Sequence, residues 1–138
     1  MSPLEKFIAF YENFNSDKVL IIASVYTDEI QFIDPVKEIS SLDELTIYMQ
    51  NLSKNLELCT FEFSDVNELK AQAYLTWVMT FKNPKFASGK EVKVSGISHI
   101  KYNESHIYFH RDYYDLGEMI YEHVFGVSWL IKKIKNKL

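Results

Sequence analysis

The hydrophobic period of the chain changes several times, and each change predicts an element. Leu4, Phe7, Ile8 and Tyr11 fall on one helical face, and Ser2-Pro3-Leu4-Glu5 opens that helix as a capping box with proline in the first turn. The helix is expected to end near Asn15. Ser16 or Asp17 then caps a second helix, in which Val19, Ile22, Ala23 and Tyr26 repeat the spacing. From Asp28 to Asp34 the period falls to two, with Ile30, Phe32 and Asp34 on one face and Gln31 and Ile33 on the other, and Pro35 stops the strand. Ser41-Leu42-Asp43-Glu44 caps a third helix, carried by Leu42, Leu45, Tyr48, Met49 and Leu52 to about Asn55. Strands are then expected at 57–66, 69–82, 91–102 and 106–115, with turns at Asn83-Pro84 to Ser88-Gly89 and at Asn103-Glu104-Ser105. Long strands joined by short turns imply an antiparallel meander, bent strongly enough to wrap a helix.

Strand parity divides these residues between two faces. On 91–102, Val92, Val94, Gly96, Ser98, Ile100 and Tyr102 point inward, which sends Lys93, Ser95, His99 and Lys101 outward. On 69–82 the inner set is Ala73, Leu75, Trp77, Met79 and Phe81. On 106–115, Ile107, Phe109 and Tyr113 oppose Tyr108, His110, Asp112 and Tyr114. The outer face is apolar for a solvent surface, with Tyr74, Val78, Ile97, Ile107, Phe109 and Tyr113, and such patches mark interfaces.

The tail reads separately. Gly117 and Gly126 bracket Glu118 to Phe125, and beyond them Val127, Ile131, Ile134 and Leu138 form a stripe opposite Lys132, Lys133, Lys135 and Lys137. The simpler expectation is a helix that docks on the sheet with lysines at its negative dipole end. The alternative is a basic amphipathic segment over 127–138, with Trp129 beside the lysines, that touches an anionic membrane or a partner.

Composition narrows the class. A chain of 138 residues suits one domain, and 47% hydrophobic with 15% aromatic content supplies a core or a lined cavity. No linker or repeat interrupts it, so residues 1–116 are expected to form the domain and 117–138 its amphipathic helical extension. A net charge of −4 argues against nucleic acid, which calls for a basic face. No apolar run is long enough to span a membrane and no signal-peptide pattern opens the chain, so a cytoplasmic location is expected. Cys59 has no Cys or His at ligand spacing and reads as a small apolar strand residue. His99 points outward, while His106 and His123 sit in a turn and a helix. No metal spacing, phosphate loop, nucleophile elbow or dinucleotide fingerprint is present, and no cofactor is implied.

The chemistry begins at Gln31-Phe32-Ile33-Asp34-Pro35, which leaves a carboxylate at the end of an apolar strand with no evident cationic partner. Helix, helix, strand, helix and four further strands is an order that resembles the nuclear transport factor 2-like superfamily over roughly residues 4–116. That resemblance implies an α+β fold: a cone-shaped, curved, antiparallel (mixed) sheet wrapped around N-terminal helices, plus a C-terminal helix. The superfamily includes ketosteroid isomerases, SnoaL-like polyketide cyclases, limonene-epoxide hydrolases, scytalone dehydratases and binding modules without catalysis, so fold alone does not fix function.

Two local motifs carry the comparison further. Phe32-Ile33-Asp34-Pro35-Val36 resembles the ketosteroid isomerase stretch whose Asp is the general base, with Phe32 and Ile30 as an apolar wall. The same comparison sets Ser98 where that family keeps a protonated carboxylic acid, and the phenolic donor of the first helix falls near Phe10 or Tyr11. His110-Arg111-Asp112-Tyr113-Tyr114-Asp115 resembles the Trp-Arg-Asp-Tyr-Phe-Asp run of limonene-epoxide hydrolases, giving Asp112 the place of a catalytic carboxylate. Ser98 in the place of the protonated acid makes steroid isomerisation unexpected and leaves a related proton abstraction open. The Arg and Asp that complete the epoxide hydrolase triad fall on Trp77 and Met79, so epoxide opening is not expected.

Both comparisons turn His110, Asp112 and Tyr114 inward. The candidate catalytic residues are then Asp34, Asp112 and His110, with Tyr26, Phe32, Trp77, Met79, Ser98 and Tyr114 against the substrate. Asp34 or Asp112 would act as base and His110 or Tyr114 as donor. The plain alternative is that His110 and Asp112 only satisfy each other and the backbone. Two functions remain open: cofactor-free isomerisation, cyclisation or dehydration of a small apolar molecule in the cone, or a non-catalytic binding or regulatory module, in either case as a homodimer packed through the outer sheet face.

Overall fold

A computed structural model describes residues 1–119 and 126–138. The expected capping box forms: Glu5 N–H donates to Ser2 Oγ at 3.1 Å, and the Glu5 carboxylate accepts Ser2 N–H at 2.8 Å. Helix α1 (Pro3–Glu12) stops earlier than its apolar spacing suggested, because Asn13 bridges to Thr60 and Asn15 is needed as the next cap. Asn15, rather than Ser16 or Asp17, accepts the Lys18 N–H and opens α2 (Ser16–Val19). A single 3-10 turn, Ile22–Ser24, follows, and the chain becomes strand at Tyr26. Tyr26 was read into the second helix; its pairing with Ile107 of a distant strand overrides the local spacing. Ala23 is correspondingly exposed.

Six strands form one sheet in the order β2-β1-β6-β5-β4-β3. They are β1 (Tyr26–Ile33), β2 (Glu38–Ile39), β3 (Leu58–Leu69), β4 (Gln72–Lys82), β5 (Val92–Tyr102) and β6 (Ile107–Tyr114), with α3 (Leu42–Ser53) between β2 and β3. β3 to β6 make the expected antiparallel meander, whereas β1 joins β6 in parallel, so the sheet is mixed. β2, too short to show alternation, was not legible; the turn at Asp34 creates it by folding the chain back on β1.

The inner face carries Ala73, Leu75, Trp77, Val92, Val94, Ser98 and Ile100, as parity required, and closes over Phe7, Phe10 and Tyr11 of α1 and over Leu45 and Met49 of α3. Parity fails at one place. Lys101 pairs with Phe109 and Tyr102 with Ile107, which leaves Tyr108 as the extra residue of a bulge. Ile107 is therefore fully buried and Tyr108 exposed, the reverse of the alternation, while His110, Asp112 and Tyr114 keep their inward direction.

Among the described residues the chain ends in α4 (Leu116–Met119) and α5 (Val127–Lys135); His123 and most of the segment bracketed by Gly117 and Gly126 lie outside the described residues. The stripe of α5 is largely uncovered among the described residues: Val127, Ile134 and Leu138 are exposed and Ile131 is half-buried. Among the described residues no helix is long and apolar enough to cross a membrane.

One glycine has a packing duty that the site depends on. Gly96 lies directly across from Trp77, and a Cβ there would stand 2.3 Å from the indole. Gly96→Ala is expected to destabilise the fold by about 1–3 kcal/mol in urea denaturation, because neither the strand nor the indole can move aside without unpacking the inner face. An unchanged midpoint would show that the ring has another place to go.

Candidate functional site

Asp34 ends β1 and holds the turn that follows. Its Oδ1 accepts the N–H groups of Val36 at 2.8 Å and Lys37 at 2.7 Å, and its own N–H bonds the Lys37 carbonyl at 2.9 Å. Oδ2 accepts the hydroxyl of Tyr48, from α3, at 2.7 Å. The carboxylate is half-buried and lines the cavity, with both oxygens occupied.

Asp112 is held differently. On the inner face β5 pairs Ser98 with Asp112 and Ile100 with His110, so three polar side chains converge. Asp112 Oδ1 accepts from Ser98 Oγ at 2.5 Å and from His110 Nε2 at 2.6 Å. Trp77 Nε1 donates to Ser98 Oγ at 2.9 Å, which commits the serine proton to Asp112. On its other side His110 Nδ1 meets Tyr26 Oη at 2.8 Å, and Tyr26 Oη meets Tyr11 Oη at 2.7 Å. A carboxylate only accepts, so Nε2 carries the hydrogen; with a neutral ring Nδ1 would accept from Tyr26, and Tyr26 from Tyr11. In that tautomer the chain of bonds runs from Tyr11 to Asp112. Among the described residues no hydrogen bond engages Oδ2 of Asp112.

The cavity beside this network has a volume of about 320 Å³. Asp34, Asp112, Tyr114, Phe32, Trp77 and Met79 line it. Ser98 and His110 do not: they are 2% and 1% exposed and reach the cavity only through Asp112. Tyr26 is likewise behind the wall, stacked on His110 with ring centroids 5.9 Å apart. Sequence reasoning left out Tyr48, which it read as a helix core residue, and several rings on the wall, among them Phe14, Phe61 and Phe81. The Tyr48 spacing on the α3 stripe placed it inward, but nothing local tied it to Asp34. Of the two aligned positions for a phenolic donor, Tyr11 lines the cavity and Phe10 is packed in the core. Among the described residues no group of His, Cys, Asp and Glu could hold a metal ion.

Comparison with known proteins agrees with this architecture. A hypothetical protein with a ketosteroid isomerase-like fold from Catenulispora acidiphila, solved in complex with trimethylamine, superposes with a TM-score of 0.74 at 9% identity, over 92% of this chain and 95% of that one. A putative SnoaL-like polyketide cyclase from Shewanella putrefaciens gives 0.72 at 12% identity, over 85% and 92%. A nuclear transport factor 2-like protein of unknown function from Burkholderia pseudomallei gives 0.72 at 11%, over 86% and 95%. These likenesses establish the fold. No curated protein matches the chain in sequence. The family model of the SnoaL-like domain matches residues 7–110. The chain belongs to the SnoaL-like domain family.

The matched span of this SnoaL-like domain runs from Phe7 of α1 to His110 and stops two residues before Asp112. Burial dominates the electrostatics of the cone. It raises the phenols of Tyr11, Tyr26, Tyr48 and Tyr114, and the carboxylates add to it: Asp34 through its bond to Tyr48, and Asp34 and Asp112 by charge at Tyr114. Burial alone pushes the Cys59 thiol up to about 12. Each of these is an acid whose neutral form the native state prefers. The unfolded chain would release its protons first, so stability is intact below about pH 9 and falls as pH rises from there towards the folded values. Cys59 is expected to resist thiol reagents at mildly alkaline pH until the chain unfolds, and the tyrosinate absorbance of the buried phenols to rise with unfolding rather than before it. Alkylation of Cys59 in the native protein would contradict this.

Proposed function

We propose that this SnoaL-like domain binds a small, largely apolar molecule in the cone and that Asp112 moves a proton on it without a cofactor. One observation carries the reading: Asp112 lines an apolar cavity of about 320 Å³ with Oδ1 clamped by two donors and Oδ2 unengaged among the described residues. Ser98 and His110 fix the plane of the carboxylate, so its second oxygen is presented without the cost of ordering a mobile side chain. Tyr114 stands on the same wall, and its raised value keeps it protonated, as a donor to an oxygen that gains negative charge must be. Isomerisation, cyclisation and dehydration beside a carbonyl all reduce to this pairing of base and donor. Asp34 shares the wall, but both of its oxygens already accept hydrogen bonds, from the turn and from Tyr48.

A second reading has its own support. The polar chain from Tyr11 to Trp77 satisfies itself without any ligand, which is what a binding module without turnover also requires. Asp34→Asn and Asp112→Asn separate the two across a panel of enolisable and hydroxylated ketones. For an enzyme, Asp112→Asn should cut turnover by about 100-fold or more while ligand binding changes little, and Asp34→Asn should cost less than about tenfold. Ligand binding with no turnover that depends on Asp112 leaves only the binding module.

We also propose a homodimer through the outer sheet face. Tyr74, Val78, Ile97 and Tyr113 are exposed there on three neighbouring strands, although Ile107, first expected among them, is buried. Ile97→Asp is expected to give a monomer in sedimentation equilibrium with the far-UV spectrum unchanged. A wild-type chain that is already monomeric at high concentration would end this proposal.

A further inference from the structure

The cavity is asymmetric in charge. Asp34 and Asp112 are carboxylates on its wall, and among the described residues no lysine, arginine or histidine lines it. Lys37, whose Nζ stands 5.7 Å from the centroid of the Tyr48 ring, is outside the lining set, and His110 meets Asp112 from behind. Two carboxylates facing an apolar space lose hydration, and among the described residues no cation faces them from within the cavity, a position that a cationic ligand would fill. The rest of the wall suits the same guest: Trp77, Phe32, Phe61, Tyr48 and Tyr114 line it with rings whose negative faces attract an alkylated ammonium.

We infer that the ligand of this cone is an organic ammonium ion with apolar substituents, its charge set against Asp112 and Asp34 and its carbons against the aromatic wall. The inference rests on the reading of the cone as a ligand site and names the class of molecule that enters it. The two carboxylates divide the task. Asp34, with both oxygens engaged, contributes charge alone, which suffices for a quaternary centre that donates no hydrogen bond. Asp112 offers in addition an oxygen, Oδ2, that no hydrogen bond engages among the described residues and that can accept from the N–H of a tertiary ammonium.

Benzyltrimethylammonium and its uncharged isostere neopentylbenzene differ only in the charge of one atom, which makes them the probes. Titrated into the full chain and followed by calorimetry or ligand-observed magnetic resonance, the cation should bind about tenfold tighter or more. Asp112→Asn and Asp34→Asn should each narrow that ratio and the double variant abolish it, with neopentylbenzene affinity retained as the sign that the cavity is intact. The wild-type ratio decides alone if the double variant fails to fold. Equal or tighter binding of neopentylbenzene overturns the inference and leaves the ligand site standing, as does a ratio that survives in a folded double variant. Binding of neither probe removes both.

Discussion

The close pairing of Trp77 with Gly96 is the contact from which the polar site is built. An indole can lie flat across a neighbouring strand only where that strand has no side chain, and Gly96 supplies the gap. From that position Nε1 donates to Ser98 Oγ, two residues along the same strand, and holds the hydroxyl beside a carboxylate that can only accept. The serine is left with one useful role, donation to Asp112. Remove the gap and the indole moves; the serine proton then has no fixed direction, and Oδ1 of Asp112 loses one of its two donors. A backbone feature of β4 and β5 thus decides how a side chain on β6 is presented.

The other half of the clamp comes from a different layer. His110 is fully enclosed by rings, edge-on to Phe7 at 5.0 Å and to Phe32 at 4.8 Å, so its plane is fixed by packing before any hydrogen bond is counted. Both nitrogens of a buried imidazole need partners. Tyr26 of β1 and Asp112 provide them, and Tyr26 is in turn completed by Tyr11 of α1. The parallel pairing of β1 with β6 is what brings Phe32 beside His110, which explains why the mixed sheet matters to the site. Helix, first strand and last strand are tied together by one line of bonds, and breaking it at any member strands a buried polar atom.

Much of this was legible in the residues. Capping signals at Ser2 and Ser41, the run of alternation in β4 and β5, and the inward set Trp77, Met79 and Ser98 all follow from local chemistry and period. The cone itself came from element order and from resemblance, since curvature has no local signature. What escaped was decided by partners far along the chain. Tyr26 has helical spacing and becomes strand because Ile107 pairs with it; Tyr108 becomes a bulge because Tyr102 pairs with Ile107, which no alternation over a single strand can reveal. Likewise the bond between Tyr48 and Asp34 joins an element to a turn preceding it, at a distance set by how α3 packs.

The two aspartates show why residue type and depth alone do not assign chemistry. Both sit at the same wall, and motif resemblance alone led to the expectation of a catalytic role for each. A carboxylate has about four lone-pair directions, and what sets two carboxylates apart is how many are taken and by which groups. Asp34 gives two to backbone N–H groups and one to a phenol, all of them needed to turn the chain from β1 into β2 and to orient Tyr48. Proton uptake there would compete with the fold. Asp112 takes both of its bonds on one oxygen, from side chains whose own positions are fixed by packing, and leaves the other oxygen in the cavity it lines. The distinction lies in where the donors come from. A turn spends a carboxylate on the backbone, while a pair of cross-strand side chains holds one still and leaves it free to react.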